Sequence, residues 1–119
     1  MFINVSNHKS SGWGQRQREA AEIYGEIVDI PFPPISSDYT SEEIDELVAQ
    51  YLKKIQKYDD PVAMVQGEFV FTYRLVSELK AAGILALAGC TDRKVFEEKQ
   101  PDGTVKKTSV FEFTRFREY

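Results

Sequence analysis

The sequence has one cysteine and one histidine, and each scarcity excludes chemistry. Cys90 has no partner for an internal disulfide and reads as a buried strand thiol. With His8 as the single imidazole there are too few soft ligands for a zinc site, so no metal and no cofactor are expected. No apolar run approaches the ~20 residues of a membrane helix. The opening "MFINVSNHKSSGW" also turns polar too early for a signal peptide. The expectation is a cytoplasmic protein with no membrane partner. Positive charge is short as well, 15 Lys and Arg against 19 Asp and Glu, for a net charge of −4. This disfavours duplex DNA, whose nonspecific affinity comes from Lys and Arg displacing counterions, but leaves a small anion open if cations gather locally. The first loop has only Gly12 and Gly14, not the Gly-x-Gly-x-x-Gly of a dinucleotide-dependent dehydrogenase. No glycine run ends in Lys-Ser or Lys-Thr, so a P-loop is absent too.

What is present suits one domain over residues 1–119, with 42% hydrophobic and 29% charged residues. "FINVS" reads as a strand, broken by "HKSSGWG". From Gln15 to Tyr24, Ala20, Ala21, Ile23 and Tyr24 lie on one side of a helix closed by Gly25. "EIVDI" is a second strand, ended by the three prolines of "PFPPISSDY", a structured loop. Thr40 and Glu43 form a capping box for a helix whose apolar face is Ile44, Leu47, Val48, Tyr51, Leu52 and Ile55. "PVAMVQ" is the third strand. "FTYRLVSELKAAG" is the third helix, with Val70, Tyr73, Leu75, Val76 and Leu79 as apolar surface and Gly83 as its stop. "ILALAGC" is a fourth strand, apolar as expected of one covered on both faces. "RKVFEEK", "QPDG" and "TVKKTSVFEFTRFREY" then predict an antiparallel hairpin, with a bulge between Phe113 and Phe116. The order predicts an α/β, Rossmann-like, mostly parallel sheet with three crossover helices and a C-terminal antiparallel hairpin.

Ligands of such sheets gather beyond the carboxyl ends of the strands. The loops there are residues 6–14, 31–39, 66–72 and 91–94. The first offers Ser6, Asn7, His8, Lys9, Ser10, Ser11 and Trp13, and the last offers Thr91, Asp92, Arg93 and Lys94, so cations collect at this edge. At the third strand end Gly67 permits a tight turn and close approach of a ligand. The first amides of the following helix would attract an anion, Thr72 adds a hydroxyl and Gln66 presents both a donor and an acceptor. Glu68 reads either as a carboxylate favoured at a helix start or as a catalytic or ribose-binding group. His8 reads either as satisfying a loop carbonyl or as the natural proton carrier. Trp13 reads as packing before stacking, Phe69 and Phe71 as core with one of them turned away, and Arg115 and Arg117 as surface or dimer contacts.

The strand-end stretches "NVSNHKSSGW" and "MVQGEFVFTYRLVSELKAAGI", with the closing "FEFTRFREY", resemble the small stand-alone CRISPR-associated proteins of Rossmann-like (CARF-like) fold. Members of that group bind cyclic oligoadenylate, the messenger of type III CRISPR defence, and several cleave it as ring nucleases. The resemblance implies a homodimer joining two strand-end edges into one twofold pocket for the cyclic oligoadenylate or another small nucleotide. Ser6, Asn7, His8, Ser10 and Ser11 would match the loop that cradles the ring, and Gln66, Gly67, Glu68 and Thr72 the third-strand motif. Cleavage would be metal-independent, a ribose 2′-hydroxyl attacking its neighbouring phosphate once the two are held in line. Lys9 or Arg93 would stabilise charge, His8 or Glu68 move the proton, and Ser10 and Ser11 bind phosphate. The alternatives are a nucleotide-binding sensor that does not cut, and a homodimeric interaction module.

Overall fold

The protein is described over residues 1–119 by a computed structural model. Its elements are β1 (Phe2–Ser6), α1 (Gln15–Glu22), β2 (Ile27–Pro31), α2 (Ser41–Gln56), β3 (Val62–Gln66), α3 (Phe69–Ala81), β4 (Ala86–Lys99) and β5 (Val105–Glu118). A single 3-10 turn, Ser10–Gly12, lies between β1 and α1. The five strands form one sheet in the order β2-β1-β3-β4-β5, with β5 alone antiparallel. The expected α/β fold with its C-terminal hairpin is the observed one.

Strand alternation sorts the core into two layers. Ile3, Val5, Ala63, Val65 and Ala86 pack with Ile44, Val48, Tyr51 and Ile55 of α2 and Phe71, Leu75, Val76 and Leu79 of α3. Phe2, Met64 and Leu87 point to the opposite face, where they meet Ala21 of α1, with Trp13 and Phe116 against them. Helix α2 starts where its cap predicts. Thr40 accepts from the Glu43 N–H at 3.2 Å, while the Glu43 carboxylate takes the Thr40 hydroxyl at 3.3 Å rather than closing the box on the backbone. The Tyr51 hydroxyl donates to the Pro31 carbonyl at 2.7 Å, tying α2 to the end of β2.

Three expectations are corrected. Helix α1 stops at Glu22, and Ile23, at 82% exposure, leaves the apolar side assigned to it as the chain turns toward Gly25 at φ 122°. On α3 the core face is Phe71, Leu75, Val76 and Leu79. Val70 and Tyr73 are exposed, and Phe69, at 90% exposure, is the aromatic that turns away. Residues 91–94 are strand and not loop, because β4 runs unbroken through Cys90 and pairs with β5 as far as Lys99↔Val105. Fourteen residues of strand span about 46 Å, so the pair forms an arm reaching beyond the sheet. The bulge falls where expected. Cys90 pairs with Arg115 and Thr91 with Phe113, leaving Thr114 extra, its hydroxyl donating to the Cys90 carbonyl at 3.0 Å. No helix is long and apolar enough to cross a membrane.

Candidate functional site

Strand β1 has β2 on one side and β3 on the other, so the chain leaves β1 toward one edge and β3 toward the other. The connections diverge there, and this switch point is where an open α/β sheet forms its crevice. A cleft of about 890 Å³ lies at this point, lined by Ser6, Asn7, His8, Lys9, Ser11 and Trp13 after β1 and by Gln66 and Gly67 at the end of β3. Thr91, Phe111 and Phe113 of the arm and Gln17 of α1 add to its walls.

The loop after β1 is held from beneath by a buried amide. Asn4 is 2% exposed, and its Nδ2 donates to the His8 carbonyl and to Asp29 Oδ1, each at 2.8 Å. Its Oδ1 accepts from the Ser6 hydroxyl at 2.7 Å, and that hydroxyl accepts from the His8 N–H at 3.2 Å. Asp29, in register with Asn4 on β2, takes the Ser10 N–H at 3.1 Å and the Ser10 hydroxyl at 3.0 Å. Partial burial acts to raise the Asp29 pKa, but bonds from Asn4 and from the Ser10 N–H and hydroxyl, with the Lys9 charge, outweigh it. The carboxyl therefore sits below the ordinary 3.8. The backbone of residues 6–10 is thus tied to two strands, while Asn7, His8 and Lys9 keep exposed side chains on the cleft.

At the second wall, β3 pairs with β4 through Ala63↔Ala86 and Met64↔Leu87, and the Gln66 side chain takes over from there. Its Nε2 donates to the Gly89 carbonyl at 3.2 Å and its Oε1 accepts from the Gly89 N–H at 3.1 Å, in the manner of a further peptide group. A Cβ on Gly89 would stand 2.9 Å from that Oε1. Gln66 keeps one N–H and one lone pair for the cleft, fewer than its sequence position suggested.

Gly67 also answers to a packing demand that its place in the sequence did not show. Its φ is not positive, and a Cβ there would lie 2.3 Å from the Phe32 ring, which packs edge-on against Phe71 at 5.1 Å. Gly67→Ala is expected to cost about 1–3 kcal/mol by displacing that ring, and about 0.5 kcal/mol or less in a Phe32→Ala background. Denaturant midpoints of the four proteins measure this; equal costs in both backgrounds would refute the packing account.

Four of the anticipated site residues lie outside the cleft walls. Glu68 caps α3, its two oxygens accepting from the Val70 N–H at 2.8 Å and the Phe71 N–H at 2.7 Å. The same carboxylate fills the place expected for an anion at that helix start, and of the two readings of Glu68 the geometry shows the cap. Ser10 is buried, with its hydroxyl donating to Asp29 beneath the loop and not lining the cleft. Thr72 lines a second groove of about 840 Å³ between Phe69, Tyr73 and Tyr119, its hydroxyl buried without a hydrogen-bond partner. Arg93 lies along the arm and donates to the Ser109 hydroxyl at 2.9 Å. No group of three or more His, Cys, Asp or Glu side chains comes together.

A sequence model of the Uncharacterized protein MJ1673 family matches residues 1–117. The chain belongs to that family. The matched span takes in every wall of the cleft, the arm included, and stops before Glu118 and Tyr119. No curated protein and no solved structure matches the chain. Asn4, Gln17, Asp29, Phe111 and Phe113 are among the site residues that the sequence reading passed over. Two signals pointed to Asn4 and to the two rings: an amide inside the otherwise apolar "FINV", and an alternation in "VFEF" that sets both rings on one strand face.

Proposed function

We propose that this member of the MJ1673 family binds a cyclic oligoadenylate in the switch-point cleft and opens the ring without a metal. It would act in the cytoplasm as a CARF-like component of type III CRISPR antiviral defence. The observation that carries the reading is the loop at residues 6–11. Asn4 and Asp29 fix its backbone in advance, while one imidazole, one ammonium and the Asn7 amide stay free on the cleft. Such preorganisation suits a reaction whose main demand is positioning. The 2′-hydroxyl oxygen of one ribose attacks the adjacent phosphorus as its proton passes to His8. The bond to the 5′-oxygen breaks and that oxygen takes up a proton, leaving a 2′,3′-cyclic phosphate and a 5′-hydroxyl. Lys9 stabilises the negative charge that builds on the phosphate, with Ser11 donating a hydrogen bond. A second copy of the chain, related by a twofold axis, would supply the same loop to the other half of a ring.

Incubating the protein with cyclic tetra- and hexa-adenylate in EDTA should yield linear products with 2′,3′-cyclic phosphate ends. Intact ring with clear binding would remove the cleavage step and leave a sensor. One observation favours that second reading: with Glu68 engaged in its cap, His8 is the sole proton carrier among the proposed pair. If adenylates neither bind nor shift the melting temperature, the nucleotide reading is lost altogether.

A further inference from the structure

The cleft has a polar end and an aromatic end, and the nucleotide reading above uses only the first. On β5, Phe113 and Phe111 face the cleft with Thr91, two strand positions apart and therefore on one face. Phe113 is anchored by Phe116 at 4.8 Å, which packs tilted against Phe2 at 5.0 Å, and Phe2 meets Trp13 edge-on at 6.0 Å. This file of rings runs from the core to the cleft. Phe111 stands at its outer end, 68% exposed and opposite Arg93 in the ladder, with no ring of the chain against it. An aromatic side chain this exposed beside a polar cleft is apolar surface to which a flat partner can be added.

Resting on the nucleotide reading, we propose that Phe111 is a base-stacking residue. It receives one adenine of the ligand while the adjoining phosphate lies at the Asn7–Lys9 loop. Stacking tolerates any base, since every base has a π-face, and by alanine substitution is worth roughly 10- to 100-fold in affinity. The pair of ends also sets the ligand class: a phosphate bearing a planar ring, not a phosphate alone.

Titration of cyclic tetra-adenylate and of base-free ribose 5-phosphate into wild type, Phe111→Ala, Phe111→Leu and Phe111→Trp tests this. The site is on the exposed arm, and circular dichroism checks that each variant folds. Expected is a loss of roughly 10- to 100-fold for cyclic tetra-adenylate in Phe111→Ala. Phe111→Leu should show much of that loss, Phe111→Trp should bind within a few-fold of wild type, and the base-free phosphate should respond to none of the changes. If wild type and Phe111→Ala bind the cyclic tetra-adenylate equally, the stacking assignment is overturned while the nucleotide reading stands. If Phe111→Ala alters only the sedimentation of the protein, the ring belongs to a contact between copies and the assignment is likewise wrong. If wild type binds no adenylate, both fall together.

Discussion

Asn4→Ala is expected to lower stability by about 2–3 kcal/mol and the melting temperature by roughly 10 °C, and with them ligand affinity at a distance from any ligand contact. The amide holds three groups at once: the His8 carbonyl, the Asp29 carboxylate and the Ser6 hydroxyl. Deleting it strands polar atoms at a position where the side chain is almost fully enclosed. The consequence for function is a loop whose Asn7, His8 and Lys9 no longer share a fixed frame. Asn4→Asp separates charge from shape. It sets a second carboxylate against Asp29, so its penalty at neutral pH should exceed that of alanine and should ease in acid, when one carboxyl holds a proton.

The pH dependence of the wild type has a fixed sign. The Asp29 pKa is lowered in the fold, so its stabilisation is fully present above the unfolded value of about 3.9 and is lost as pH falls through the folded value. The gap in melting temperature between wild type and Asn4→Ala should therefore be widest near neutrality and narrow below pH of about 4. A gap that stays constant from pH 7 to pH 3, or an Asn4→Ala protein as stable as wild type, would show that the buried amide does not latch the loop.

His8→Ala is expected to slow ring opening by about 10²-fold or more with binding little changed, whereas Lys9→Ala should weaken both. The asymmetry follows from the chemistry assigned to each. A proton carrier acts on the barrier, while an ammonium near the phosphate attracts the ligand before reaction and stabilises charge during it. Glu68→Gln supplies the contrast. It weakens a helix cap and should reduce stability by about 1 kcal/mol without a selective loss of rate. Equal losses of binding in His8→Ala and Lys9→Ala would mean that His8 only holds the ligand. A rate loss in Glu68→Gln with an unchanged melting temperature would return the carboxylate to the chemistry.

The elements of this chain were legible because their causes are local. Thr40 and Glu43 meet within one helical turn, the apolar residues of α2 recur at 3.6-residue spacing, and the Asp-Gly turn announces the hairpin. The gathering of residues 6–9 and Ser11 with Gln66 and Gly67 was legible too, since parallel strands joined by crossovers end on one edge; Thr91 reaches the cleft from within β4 instead. Glu68 shows where local reading left two answers: capping needs only its own next three residues, and that nearby demand claimed both oxygens.

Other features were decided by partners far along the chain. Asn4 meets Asp29 25 residues away because β2 lies beside β1, and Gln66 meets Gly89 across 23 residues because β3 stops where β4 continues. Gly67 answers to the Phe32 ring, which a loop of prolines carries to it from the end of β2. The sequence by itself determined most of the elements, the parallel direction of the first four strands and the rim on which polar loops collect, because hydrophobic period, caps and turns act over a few residues. Only the tertiary structure decided which rim side chains remain free, since hydrogen-bond valences are finite and are filled first by whichever groups the strand order brings within reach.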